Sequence, residues 1–153
     1  HLLRTHQTLE SIENSGLKIK KPVIDKRLGE QDFGDWVGKT YDEAQKLFGD
    51  SYNQFWLAPV SEKPPNGESF LEVLERVQTC VRELTLKFKG EDIICVAHGG
   101  PIRAALALAL GLNGDQAMSF SIDNLSTTVI DYIHPENGFH GGWRVRGTNL
   151  PSV

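Results

Sequence analysis

The interval between apolar residues changes several times along the chain, and each change marks an element. Phe70, Leu74, Val77, Val81, Leu84 and Phe88 follow one another at steps of four, three, four, three and four. That is one apolar stripe on a helix, so a helix is predicted from about Glu68 to Phe88, with Gly90 as its stop. Asp92 to Ala97 is then almost wholly apolar. A run of this length and composition predicts a strand covered on both faces, the internal strand of a parallel sheet. Pro101 suits the first turn of another helix, and Ile102 to Leu110 is apolar nearly all round, which predicts burial. Leu9 and Ile12 place a helix over Leu2 to Asn14, closed by Gly16, and Thr40 is a natural cap for a helix from Tyr41 to Phe48.

Between these helices the pattern is extended or broken. Val23 and Ile24 predict a short strand within Pro22 to Leu28. Gly29, Gly34 and Gly38 around Phe33 and Trp36 predict a shaped loop, and Pro59, Pro64, Pro65 and Asn66 make residues 58–67 a loop as well. Ser119 to Ile122, Ser126 to Ile133 and Trp143 to Val145 read as strands. No repeat or linker divides residues 1–153, so one domain is expected. The order of elements predicts an α/β three-layer sandwich, with helices on both sides of a mostly parallel mixed sheet. Right-handed crossovers would put functional loops at the carboxyl ends of the parallel strands.

Composition narrows the function classes. With 39% hydrophobic and 24% charged residues, the 153-residue chain reads as a soluble globular protein. A net charge of −4 and a basic cluster limited to Lys18, Lys20 and Lys21 argue against nucleic acid as a partner. No apolar run approaches the ~18 residues of a membrane span, and no signal peptide is visible, so a cytoplasmic protein is expected. Cys80 and Cys95 lack metal or redox spacing and read as buried free thiols. None of the five histidines stands in a metal-ligand motif, so neither a metal nor an organic cofactor is expected. Met118 is the one methionine, and a chain opening on His1 is expected to be a fragment.

Three segments carry candidate chemistry. In Val96-Ala97-His98-Gly99-Gly100-Pro101 an apolar run ends in a histidine, two glycines let the backbone turn, and a helix begins. Free amide groups of Gly99 and Gly100 and the positive end of that helix suit an oxyanion, with His98 as a further donor. A strand-end histidine bonded to a carbonyl is the competing reading. Arg4, near a helix start, can grip a phosphate through two parallel hydrogen bonds, or stand solvated on the helix. Glu30, in a glycine-shaped loop beside Phe33 and Trp36, suits a proton donor to a leaving alcohol, or is a surface acid. Arg103 is read as structural rather than as a second cation of the site.

Taken in order, these segments closely resemble the histidine phosphatase, or phosphoglycerate mutase-like, superfamily. The resemblance rests on LLRTxQT at 2–8, LxExxFGxWxGxT at 28–40, PPxGES at 64–69, VAHGGPIRA at 96–104 and Asn124-Leu125-Ser126. It implies that Arg4 clamps phosphate, Glu30 donates a proton and His98 stabilises charge on the transferring phosphoryl group. It also implies a nucleophilic histidine in an Arg-His-Gly motif on a first strand, and this sequence contains no such motif. Neither His1 nor His6 stands in that context, so the first strand and its helix are expected to precede Leu2. The implied activity is hydrolysis of a small-molecule phosphate monoester, with this chain itself inactive and possible as a homo-oligomer. A short interval between the Glu30 loop and Glu68 favours a phosphatase, resembling the α-ribazole phosphatase branch, over a mutase. A non-catalytic domain binding a phosphorylated ligand is the alternative.

Overall fold

The computed structural model describes residues 2–19, 21–136 and 140–151. Helix α1 spans Leu3–Asn14 without a side-chain cap, and Gly16 turns the chain at a φ of 102°. The predicted strand within Pro22 to Leu28 does not form: residues 22–25 are in no regular element and Lys26–Leu28 is a 3-10 turn. Its local cause is Asp25, whose carboxylate accepts the Arg27 backbone N–H at 2.9 Å. Lys20, of the basic cluster, lies outside the described residues.

Helix α2, Tyr41–Leu57, begins with the predicted Thr40 cap, reinforced by a reciprocal bond from Glu43. It continues past Phe48 through a kink at Gly49, where φ is 46°. Glycine tolerates that value, and the second half of the helix then carries Tyr52 and Phe55 beneath Trp36, each ring 5.1 Å away between centroids. Aromatic burial therefore extends an element that the local sequence would end at Gly49.

Helix α3, Phe70–Lys87, starts two residues later than predicted, because Ser69 caps it through Glu72. Its buried residues are Phe70, Val73, Leu74, Val77 and Cys80. The first four cluster with Ala104 and Ala107 of helix α4, Gly99–Leu110, and Ala117 of helix α5, Gly114–Met118. Full burial of a Phe, Val or Leu side chain contributes about 1.5–3 kcal/mol, so this stripe anchors the body of α4.

Strands β1, Thr127–Ile133, and β2, Gly142–Leu150, pair antiparallel, with Thr127 opposite Leu150 and Ile133 opposite Gly142, and lie against α4. The mixed α/β class is as predicted, and of the predicted sheet this antiparallel pair is what forms among the described residues. Ser119 to Ile122 is not a strand; the Phe120 carbonyl accepts from the Arg103 Nε at 2.8 Å instead. Residues 92–97 are likewise outside the sheet, and Ile93 and Ile94 are exposed. An apolar run becomes an internal strand only where other strands flank it, and β1 and β2 pair with each other. Cys80 is buried as predicted, but Cys95, on the uncovered run, is exposed. None of the described helices is long and apolar enough to cross a membrane.

Candidate active site

His98 is the N-cap residue of α4, with an extended backbone that hands the chain directly into the helix. The side chain is buried, 7% exposed, and reaches across the fold to α1. There the exposed Arg4 donates from Nε to the His98 Nδ1 at 3.3 Å. Ninety-four positions separate the two residues, so this contact is tertiary and joins two of the three candidate segments. A guanidinium can only donate, so Nδ1 is the acceptor and the neutral ring carries its hydrogen on Nε2. That Nε2 is buried without a partner among the described residues. A buried imidazole N–H with no acceptor costs about 1–3 kcal/mol, which makes it a strong point of attachment for an anion.

Glu30 completes the group. Its Oε1 accepts the Gly100 N–H at 3.2 Å and the Gln31 N–H at 3.0 Å, which fixes the carboxyl against the first turn of α4. The Gly100 amide, expected to serve a ligand, is thus engaged by Glu30; the Gly99 N–H has no acceptor among the described residues. Glycine at 100 lets the carboxyl come this close: a Cβ there would lie 2.5 Å from the Glu30 Oε1 and displace it. At Gly99 the same space is occupied by the Arg103 Nη1, 3.2 Å from where a Cβ would stand.

What holds Glu30 in place is Arg76 of α3, a residue absent from the motif-based reading. All five of its N–H groups are used. Nε and Nη2 bond Glu68 at 2.8 and 2.9 Å, Nη1 bonds the Arg27 and Gly29 carbonyls at 2.8 and 2.9 Å, and Nη2 also bonds the Glu30 carbonyl at 3.0 Å. Glu68 in turn accepts the Asp32 N–H at 3.0 Å. One guanidinium therefore ties the Glu30 loop to the 64–69 turn and to the helix that carries the core. A signal existed: Arg76 lies three residues after Val73 and four before Cys80, among the buried positions of α3. An arginine on that face needs acceptors.

The two loops also touch directly. The Asp35 N–H bonds the Pro65 carbonyl at 3.0 Å, and a Cβ on Gly34, where φ is 50°, would collide with that same oxygen. Here glycine is required both by conformation and by close approach.

Burial pushes the His98 imidazole below its ordinary value; the nearby Glu30 carboxylate opposes this shift and Arg4 reinforces it. The folded chain therefore resists a proton that an unfolded histidine accepts below pH ~6.5. Stability linked to His98 is present above that pH and is lost as pH falls towards the lower folded value. Melting temperatures measured from pH 8 to pH 5 should fall more steeply for the wild type than for His98→Gln. Parallel curves would show that His98 is not held neutral by the fold.

The model of the histidine phosphatase superfamily (branch 1) matches residues 1–146. A phosphoglycerate mutase of Schizosaccharomyces pombe is 33% identical over 118 residues, which cover 75% of this chain and 56% of the relative. Among solved structures, a mycobacterial glucosyl-3-phosphoglycerate phosphatase, in complex with inorganic phosphate, superposes with a TM-score of 0.74 at 26% identity, covering 97% of this chain and 73% of that one. The alpha-ribazole phosphatase of Shigella flexneri shares the fold with a TM-score of 0.78 at 23% identity, over 100% and 73% of the two chains. The chain spans between 30% and 58% of the length of the curated relatives it matches.

Proposed function

Because this chain belongs to the histidine phosphatase superfamily, we propose that it is one histidine phosphatase domain, whose site receives a small-molecule phosphate monoester in the cytoplasm. The observation that carries the reading is the buried His98 Nε2, left without an acceptor at the start of α4 while Arg4 occupies the other ring nitrogen. Nε2–H, the Gly99 N–H and the remaining N–H groups of Arg4 are donors of the kind a phosphate requires. Hydrolysis proceeds in two balanced steps. A nucleophilic imidazole forms an N–P bond as the ester P–O bond breaks, and Glu30 gives the departing oxygen a proton. Water then attacks the phosphohistidine phosphorus, Glu30 takes a proton from it, and the N–P bond breaks to release orthophosphate and the free imidazole. No metal or organic cofactor enters either step. Among the described residues no histidine stands in an Arg-His-Gly context, and His6 is exposed on α1. The chain alone therefore binds phosphate without turning an ester over. The short interval from Glu30 to Glu68 leaves little chain to close over a mutase intermediate, which supports phosphatase over mutase.

Calorimetric titration with orthophosphate tests this reading. Binding should be measurable for the wild type and weakened about 10- to 100-fold in both His98→Ala and Arg4→Ala, since each charge-assisted hydrogen bond contributes about 1.5–3 kcal/mol. Arg144→Ala, which alters a pair with Asp131 on the sheet, should leave binding unchanged. Absence of binding, or equal binding by all four proteins, would remove the site. Orthophosphate released from an ester by the chain alone would show that its own histidines suffice.

Self-association is a second consequence. Val23 and Ile24 on one segment outside helix and strand, and Ile93 and Ile94 on another, are exposed without a sheet neighbour among the described residues. Uncovered extended backbone with apolar side chains is a template for pairing with another chain. Sedimentation velocity should show concentration-dependent association that Ile94→Lys reduces; a monomer at every concentration would count against it.

A further inference from the structure

Strand β2 departs from regular pairing where it runs beside the segment that enters β1. Thr127 stands opposite Leu150 and Val129 opposite Gly147, so β2 carries one residue more than β1 over this stretch. The bulge includes Asn149, whose φ is 52°. A bulge re-aims a side chain, and here it turns Asn149 out of the ladder towards Asp123. The Asn149 Oδ1 accepts the Asp123 backbone N–H at 2.6 Å, and the Asn149 Nδ2 donates to the Asp123 Oδ2 at 2.9 Å.

This reciprocal pair holds a turn in a costly shape. The Ser126 N–H and Oγ both reach back to the Asp123 carbonyl, at 3.3 and 2.8 Å. Leu125, third in that turn, has a φ of 61° and is 68% exposed. Turns with a positive φ at this position ordinarily take glycine or asparagine, and a leucine there persists only where its surroundings impose it. Burial does not impose it, because the side chain is exposed. The two bonds between Asn149 and Asp123 do.

The same segment meets the turn that carries His98. Three residues before Asp123, the Phe120 carbonyl accepts the Arg103 Nε at 2.8 Å. Arg103 bends back along α4, as helical side chains do, and its Nη1 stands 3.2 Å from where a Cβ on Gly99 would lie. Among the described residues no ion pair neutralises it. The sequence reading of Arg103 as structural accounts for Nε alone. Its charge is held next to an amide of the proposed phosphate site, in an orientation set by a segment whose own shape Asn149 imposes.

We infer that Asp123 and Asn149 are positioning residues for phosphate, given its place at His98 and Gly99 as proposed above: their pair sets the 120–126 segment, and the Phe120 carbonyl thereby fixes Arg103 beside Gly99, where its charge strengthens binding.

Calorimetry with orthophosphate on the chain tests this route. Arg103→Gln should weaken binding about tenfold, the lower end for a charge-assisted contact. Asn149→Gly removes both bonds, while glycine adopts the positive φ without strain. It should weaken binding about 3- to 10-fold, because Arg103 remains but is no longer fixed. Added to Arg103→Gln, it should cost nothing further, since residues acting through one contact are not additive. Asp123→Asn combined with Asn149→Asp restores both bonds with the amide and the carboxylate exchanged, and should bind phosphate as the wild type does. Should Asn149→Gly not fold, Asp123→Ala, which removes the Nδ2 bond alone, supplies the same comparison. Wild-type affinity in the single variant overturns the assignment, as does an exchanged pair as weak as that variant. So does an equal loss with and without Arg103, which is the mark of general loosening. All three results leave the phosphate site standing, whereas a wild type that binds no orthophosphate counts against the site and these roles alike.

Discussion

Arg76→Met should destabilise the chain by about 3–5 kcal/mol, the range found when one partner of a buried ion pair is removed. The Arg76 and Glu68 side chains are 19% and 27% exposed, so the pair is partly buried and the lower end of that range is expected from it alone. The loss reaches beyond that pair. Three backbone carbonyls, of Arg27, Gly29 and Glu30, lose their donor at the same time, and methionine supplies none. For a domain of this size each 1 kcal/mol lowers the melting temperature by roughly 2–4 °C, so a fall on the order of 10 °C is expected. Arg76→Lys should recover little of it, since one ammonium cannot reach five acceptors spread over two loops. A double-mutant cycle with Glu68→Gln should return a coupling of at least about 1 kcal/mol. A melting temperature within about 2 °C of the wild type would show that the loops hold each other without the guanidinium.

The legible parts of the fold are those whose signal is local. The apolar stripe of α3, the Thr40 cap, Pro101 in the first turn of α4 and the reach of β1 depend on neighbours within a turn or a strand, and the structure has them where the pattern places them. Residues 92–97 are legible as a buried strand only on the premise that other strands flank them, a premise no property of the six residues can establish. The length of α2 has the same character, since Tyr52 and Phe55 continue the helix because Trp36, from a separate loop, covers them. At the site, residue type and turn chemistry point to Arg4, Glu30 and His98, and two hydrogen bonds draw these segments together: Arg4 to His98, and Gly100, two residues after His98, to Glu30. Arg76 was missed because nothing within the Glu30 motif points to a residue forty-six positions away. Its position on the buried face of α3 was the available sign.

Glu30→Gln should slow hydrolysis of an alkyl phosphate by about 10²–10⁴-fold, the usual contribution of a general acid, when turnover is measured on a polypeptide that carries an Arg-His-Gly segment ahead of this sequence. In the proposed mechanism the two carboxyl oxygens have different tasks. Oε1 accepts the Gly100 and Gln31 N–H groups and so is the carbonyl-like oxygen of a protonated acid. The proton belongs on Oε2, which makes no hydrogen bond among the described residues and is open to the leaving oxygen. Glutamine keeps an acceptor for the two amides, so the loop should keep its shape, but it has no acidic proton to transfer. The loss should therefore depend on the leaving group. An ethyl phosphate, whose alkoxide cannot depart unprotonated, should show the full effect, whereas p-nitrophenyl phosphate, whose phenolate departs without help, should be slowed less than about tenfold. The phosphohistidine step adds a second check: Glu30 must also accept a proton from water, so the variant should accumulate phosphoenzyme with the activated substrate. Equal slowing of both esters, with no accumulated phosphoenzyme, would remove Glu30 from proton transfer and leave it as the residue that anchors the start of α4.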